Sequence, residues 1–410
     1  MLITNIKYLV NVRENVGPLR GSQLAELPIL ENAYLKVEDG RITVYGLMDE
    51  LHHFGDYQIF DAENRSILPA WCDSHSHLVF AAPRETEFMD KIKGLSYAEI
   101  AAKGGGILNS AQKLAETSED VLFSLAQERL IQLIQLGTGA LEIKSGYGLS
   151  VEAELKMLRV IRRLKEWAPI PIKATFLGAH AIPAAYKENR RAYIDLILNE
   201  MLPAIAEEGL AEYIDVFCEE GFFSQSETEE LCNAGKRYGL KPKIHANQLN
   251  ISGGVQAGYN TGAISVDHLE TISDEEIRIL GLADSPMATL LPTAAYFLRM
   301  GLPPARKLID NNAAVVLASD FNPGSSPSGN MNLVVSMSCI QMKMLPEEAI
   351  NAATLNGAFA MELGQEVGSI SVGKRANLIL TKEIPSLAYL PYSFGENLID
   401  KVIINGDFFE

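Results

Sequence analysis

The chain has 410 residues, 47% of them apolar and 21% charged, an ordinary globular composition that excludes a disordered or fibrous protein. Its 35 basic and 52 acidic residues leave a formal net charge of −17, which argues against nucleic acid or an anionic membrane surface as the main partner. No apolar run approaches the ~18–20 residues of a membrane span, the start MLITNIKYLVNVREN lacks a secretory-signal pattern, and Cys72, Cys218, Cys232 and Cys339 are scattered without a C-x-x-C, so a cytoplasmic protein with reduced thiols is expected.

Residues 1–67 show no helical periodicity. Short apolar stretches (NIKYLVNV, NAYLKVEDGRITVYG, YQIFDAENRSILPAW) are broken by turn residues, and Glu38-Asp39-Gly40 sits between two alternating runs as a hairpin signal. From 68 to 365 the pattern changes. Eight short runs alternate with longer helical stretches: SILPAWCDSH, TGALEIKS, PIKATFLGAH, YIDVFCEEG, KPKIHANQ, ISVDHLE, MATLLPT and VVLASDF. Between them, EAELKMLRVIRRLKEW and YIDLILNEMLPAIAEE carry apolar residues at i, i+3, i+4, i+7. This alternation predicts an α/β fold, a (β/α)8 TIM-like barrel, with a doubly wound open sheet as the competing architecture. Residues 366–410 return to short strands, GSISVGKRANLILTK and DKVIINGDFF, the latter turning on Asn-Gly. Residues 1–67 and 366–410 are therefore expected to meet in one accessory sheet domain built from both termini.

Seven histidines are present, and five of them (His75, His77, His180, His245, His268) fall at or just after the C-terminal end of a predicted barrel strand. That face of a barrel carries the chemistry, because the βα loops gather there. His75 and His77 form H-S-H, and residues i and i+2 of a strand point to one side, so both imidazoles can face one metal; chance is the alternative. His245 ends the fifth strand, where a core histidine is the bland reading. Asp320 ends the eighth, and a carboxylate after a buried run is costly unless paired or metal-bound; an N-cap is its alternative. Three imidazoles and one carboxylate on one face make a ligand set for zinc or a similar ion. Such an ion brings the pKa of bound water from 15.7 to about 7. Asp320 can then accept the proton of the attacking water and return it to a leaving nitrogen. His268 can hold a carbonyl oxygen as it gains charge, or else serve as a supporting or core histidine.

With those residues in place, the chain resembles the amidohydrolase superfamily, and within it the imidazolonepropionase family, over essentially its whole length. The specific likeness lies in HSHLVFAAPRETEF (75–88), KGGGI (103–107), EIKSGYGL (142–149), FLGAHAIP (176–183) and SDFNPGS (319–325). The resemblance, which extends to GSISVGKRANLIL near the C-terminal end, implies that residues 1–67 and 366–410 build a small β-sandwich, and it implies a hydrolase of a carbon–nitrogen bond in a cyclic amide, opening 4-imidazolone-5-propanoate to N-formimidoyl-L-glutamate in histidine degradation. It implies one zinc or iron ion on His75, His77, His245 and Asp320. Arg84 matches the substrate-binding arginine, Tyr147 and His180 match residues contacting the ring and its carboxylate, and Asn322, Gly324 and Ser325 match a substrate-contacting loop. Similar enzymes are often homodimers, so a homodimer is expected.

A propanoate in a chain of charge −17 needs a local cation, and a guanidinium offers a bidentate fork. A surface ion pair of Arg84 with Glu85 or Glu87 is the alternative. Tyr147 lies between two glycines that let backbone approach a ligand, or it is a turn residue packed on the barrel. Asn322-Pro-Gly is also simply a good turn. Gln248 stands where related chains carry Glu or Gln. A glutamine cannot accept a proton, so it can only orient substrate or water. Lys144, at a strand end, reads as a structural or supporting cation, because no second full ligand set is present for a carbamate-bridged pair of ions. KGGGI lacks phosphate-loop spacing and reads as a mobile loop near the site. Two rivals remain: a purine-type deaminase with the same metal constellation, and a non-catalytic scaffold that keeps the fold.

Overall fold

The structure, a computed structural model, describes residues 1–14, 17–52, 55, 57–95, 99 and 105–410. Its centre is an all-parallel sheet of eight strands in chain order. They are β6 (Trp71–Asp73), β7 (Thr138–Lys144), β8 (Ile172–Ala179), β9 (Tyr213–Cys218), β10 (Lys241–Ala246), β11 (Ser265–His268), β12 (Met287–Leu290) and β13 (Val315–Leu317). Each predicted strand run contains one of them. The sheet closes beyond the regular ends of its first and last strands. Ser76 bridges Phe321, the His77 N–H donates to the Phe321 carbonyl at 2.8 Å, and the Asp320 N–H donates to the His75 carbonyl at 2.9 Å. Asp73 reinforces the seam by accepting from the Ser319 N–H at 3.0 Å and its hydroxyl at 2.5 Å. The architecture is the barrel, not the open sheet.

The helices around it form for local reasons. In Val151–Trp167, Ser150 caps the N-terminus through the Ala153 N–H, and Met157, Leu158, Ile161 and Leu164 are buried along one stripe. Gln225–Arg237 and Asp274–Leu280 each open on a capping box, Ser224 with Glu227 and Ser273 with Glu276. The single helix predicted over 193–208 is observed as Arg190–Leu196 and Leu202–Glu208 joined by a π turn, Ile197–Met201. Pro203 follows that turn and has no N–H to continue an α-helical ladder. No helix among the described residues is long and apolar enough to cross a membrane.

The terminal segments meet in a second, mixed sheet. It contains β1 (Leu2–Val10), β2 (Ile29–Glu38), β3 (Arg41–Leu47), β4 (Ile59–Asp61), β5 (Ile67–Pro69), β14 (Leu378–Thr381), β15 (Ile399–Ile404) and β16 (Asp407–Phe409). The join is β5 with β14, antiparallel, through Leu378↔Pro69, Ile379↔Leu68 and Leu380↔Ile67. Both predicted hairpins are present. Asp39 and Gly40 turn β2 into β3 at φ +48° and +75°, and Asn405 and Gly406 turn β15 into β16 at +49° and +83°. Positive φ at both central residues fits the strand twist and favours these residue types. Its core is Ile3, Ile6, Leu9, Leu35, Ile67, Leu378, Leu380 and Ile403.

This sheet anchors the start of the barrel. Only Ala70 separates β5 from β6. The Ala70 N–H donates to the Asn377 carbonyl at 2.9 Å, and the Asn377 side chain donates to the Gly139 carbonyl at 2.9 Å. Helix Leu355–Ala360 packs directly on β6: a Cβ at Gly357 would lie 2.2 Å from the Cys72 carbonyl oxygen. Backbone cannot yield there, so Gly357→Ala is expected to destabilise the fold by about 3 kcal/mol, read as a lowered denaturant midpoint.

Candidate metal centre and active site

The strand ends bring together the groups that the sequence scatters. His75 and His77 follow β6, His245 lies in β10, His268 ends β11 and Asp320 follows β13; all five are buried. The His75 ring centroid lies 5.3 Å from His77, 4.5 Å from His245 and 5.7 Å from His268. Asp320 Oδ1 is 3.4 Å from Nε2 of both His75 and His77. Donor atoms of His75, His245 and His268 lie within 4.8 Å of one another, as do those of His75, His77 and Asp320, so His75 joins two overlapping sets. Backbone strain accompanies this convergence. His268 has φ +91° and Asp320 φ +52°, a region that non-glycine residues rarely occupy and that recurs at functional sites.

The donor set fits a metal ion. The buried Nε2 of His75 has no hydrogen-bond partner, although such atoms are normally satisfied. Tetrahedral coordination with bonds of ~2.0–2.1 Å places neighbouring ligand atoms about 3.4 Å apart, the separation that Asp320 shows from both imidazoles. Three imidazoles and a carboxylate are the chemistry of such sites. Burial alone would raise the Asp320 pKa, but His75 and His77 outweigh it and hold the carboxyl well below its usual range.

Beneath these groups lies a lattice of buried charges. Asp267 contacts His75 Nδ1 at 2.6 Å, Asp215 contacts His245 Nδ1 at 3.0 Å, and Glu270 contacts His268 Nδ1 at 3.3 Å. Each carboxylate thereby directs the opposite ring nitrogen toward the common point. The Lys144 ammonium sits 2.8 Å from Asp215, 2.6 Å from Glu142 and 3.7 Å from Asp267. Burial disfavours its charge, but Asp215, Glu142 and Asp267 outweigh that and push its pKa up. Lys243 holds the other oxygen of Glu142 and donates to the Ser74 carbonyl at 3.1 Å. Lys144 is thus a supporting cation, ion-paired on three sides.

Above the centre opens a cavity of about 550 Å³ whose lining includes Arg84, Tyr147, His180, Gln248, Asn322, Gly324 and Ser325. All seven residues expected to contact substrate reach it. Arg84 does pair with Glu87, as its alternative reading held, through Nε at 2.9 Å and Nη2 at 2.5 Å. Arg84 itself lines the cavity, its Nη1 turned toward Gly324, where a Cβ would come within 2.3 Å of it. His180 Nδ1 lies 3.0 Å from the Gly146 carbonyl, so it donates there and leaves Nε2 as an acceptor. Burial and His77 push its pKa down to about 3, so it is neutral. Tyr147 is held by its loop: the buried Glu154 accepts from the N–H groups of Gly146, Gly148 and Leu149 at 3.1, 2.7 and 3.0 Å. Gln248 makes no side-chain hydrogen bond among the described residues and faces the cavity. Asn322 instead spends its amide within its own turn. It donates to the Asp320 carbonyl and the Ser325 hydroxyl at 2.7 Å each, and accepts from Gly324 and Ser325 N–H at 2.8 Å. The predicted mobile KGGGI loop begins at Lys103 and Gly104, outside the described residues. Its later part reaches the site, where the Gly106 N–H donates to Glu87 at 3.0 Å and Ile107 lines the cavity.

A profile of the amidohydrolase family matches residues 66–408. The chain belongs to the amidohydrolase family. A protein of Christiangramia forsetii named imidazolonepropionase is 55% identical over 408 residues, covering 99% of each chain. One of Flavobacterium johnsoniae with the same name is 55% identical over 407 residues, 99% of this chain and 98% of its own. Among solved structures, 5-methylcytosine deaminase from Klebsiella pneumoniae superposes with a TM-score of 0.75 at 17% identity, over 100% of this chain and 97% of that one; at that identity the likeness is one of fold.

Sequence reasoning about this amidohydrolase missed the residues that aim the imidazoles, Asp215, Asp267 and Glu270, and the buried Glu142 and Lys243 packed with Lys144 beneath them. A signal existed. In strands that read as buried, Glu142 and Lys144, Lys243 and His245, and Ser265 and Asp267 recur at i and i+2, so they share the inward face. Charge on the inside of a barrel has to be paired or bound to metal. Asp267→Asn removes the anionic partner of His75 Nδ1 and is expected to weaken metal binding ~10–100-fold, measured by competition with a chelator. Unchanged affinity would count against the orienting role.

Proposed function

We propose that this chain hydrolyses the ring carbon–nitrogen bond of 4-imidazolone-5-propanoate to give N-formimidoyl-L-glutamate, the ring-opening step of histidine degradation. The observation that carries this reading is the 55% identity, over 99% of each chain, to a relative named imidazolonepropionase. The cavity chemistry supports it: a guanidinium, a neutral imidazole acceptor and a free carboxamide stand above a ligand cluster, a set suited to a small anionic heterocycle.

His75, His77, His245 and Asp320 would hold one zinc or iron ion. When bound, such an ion supplies Lewis-acid activation of water near neutral pH. Arg84 receives the propanoate through Nη1, the donor that Glu87 leaves free. His180 accepts from a ring N–H at Nε2, and Gln248 orients the ring or the water by hydrogen bonds only. His268, fixed through Nδ1 by Glu270, holds the ring carbonyl oxygen as negative charge develops. Asp320 takes the proton of the attacking water and passes it to the leaving ring nitrogen. The hydroxyl of Ser325, 3.4 Å from Asp320 Oδ2, steadies that carboxylate. The same reading carries a cytoplasmic homodimer, which sedimentation measurements test.

Ring opening followed spectroscopically on purified, metal-analysed protein tests the function, and ammonia release from purines without imidazolone turnover would overturn it. Asp320→Asn is expected to lower kcat by ~10³-fold or more; native-like turnover would remove the proton role. Arg84→Met is expected to raise KM by ~10–100-fold with a smaller change in kcat, since it removes a charge-assisted contact to a part of the substrate that does not react.

A further inference from the structure

Arg84 does not bring net charge to the cavity. Its Nε and Nη2 both donate to Glu87, so the pair is electrically neutral, while the chain as a whole carries −17 and repels an anion. Two other cations line the same cavity, Lys91 and Arg299, and no lining residue among those described is Asp or Glu. Lys91 extends over the rim: its ammonium lies 3.3 Å from the Gly324 carbonyl and 5.8 Å from the Phe297 ring centre. Arg299 follows helix Pro292–Leu298, and Phe297 of that helix stacks on Phe88 at 5.3 Å. The Arg299 guanidinium makes no hydrogen bond or ion pair with any described residue. Its backbone has φ +59° at the helix C-cap, a position where glycine is usual. A helix end that would accept glycine thus carries a cation with no partner among the described residues at the cavity rim.

We propose that Lys91 and Arg299 form a cationic collar that selects and draws in the carboxylate-bearing substrate, with Arg84, its fork taken by Glu87, fixing the position through Nη1. The inference rests on the ring-opening reading for the identity of the anion. The collar supplies the local positive potential against the negative field of the whole molecule, a long-range effect that salt screens. A purely structural Arg299 would not show that dependence.

The test is kcat/KM for imidazolone propanoate against ionic strength in the full chain, native and with Arg299→Gln, Lys91→Gln and Arg299→Lys. Binding of imidazole-4-propanoate, a non-hydrolysed anion, is measured alongside. Arg299→Gln is expected to lower kcat/KM and raise the Kd of that anion about fivefold at ~10 mM salt, with the gap closing below about twofold at ~0.5 M. Arg299→Lys should recover most of the loss, and kcat should change less than KM. An Arg299→Gln chain with native values and native salt slope overturns the proposal, as does a defect that persists at high salt. Absence of ring opening by the native chain, with the anion-binding shift intact, would defeat the functional reading and leave the collar standing.

Discussion

One ammonium group sits where the rest of the site is determined. Lys144 lies between Asp215 and Asp267, and those two carboxylates each hold the Nδ1 side of an imidazole of the candidate metal centre, His245 and His75. Taking such charges out of water is expensive, and they persist only where partners meet them in good geometry. Here three acids and two lysines meet inside one barrel. The arrangement therefore acts as a template: moving one member takes a buried partner from each of its neighbours. It fixes which nitrogen of His75 and His245 faces the common point, which local sequence does not set.

The barrel makes that template possible. Eight parallel strands of side-chain period two turn alternate residues inward, so Glu142, Lys144, Asp215, Lys243, His245 and Asp267 converge from four strands. Closure matters as much as alternation. The Asp73 bonds to Ser319 and the bond from the Asp320 N–H to the His75 carbonyl seal the first strand to the last, and the same seam carries His75, His77 and Asp320. The terminal sheet contributes indirectly, since β5 of that sheet runs straight into β6. The fold and the site thus share their bonds at this seam.

The cavity above follows different rules. Its wall is loop and helix-end, with Arg84, Tyr147, His180 and the 322–325 turn supplied by separate connections. The deaminase from Klebsiella superposes over the whole chain at 17% identity, so the barrel itself does not choose a substrate. In the proposed reading choice lies in the rim, where Arg84 paired with Glu87 and two further cations favour a small anion and no lining residue among those described is an acid. Rigid strands set the reacting geometry, and the rim sets what enters.

Much of this was legible in the chain. Strand–helix alternation gave the barrel, the Asp39-Gly40 and Asn405-Gly406 pairs gave the hairpins, and H-S-H with His245, His268 and Asp320 at strand ends pointed to one face. Those features are local, and period, turn chemistry and strand-end position are properties of neighbouring residues. What the chain could not disclose was pairing. Arg84 reads equally as a surface ion pair or a substrate cation, and in space it pairs with Glu87 while lining the cavity. Asn322 reads as a contact or a turn, and its amide is consumed by the turn. Lys144, Asp215 and Asp267 are separated by scores of residues, and only barrel closure brings their charges within a few ångströms. Local sequence determined the elements and the types of chemistry available. Tertiary structure decided which charges meet, because electrostatic pairing depends on distance in space.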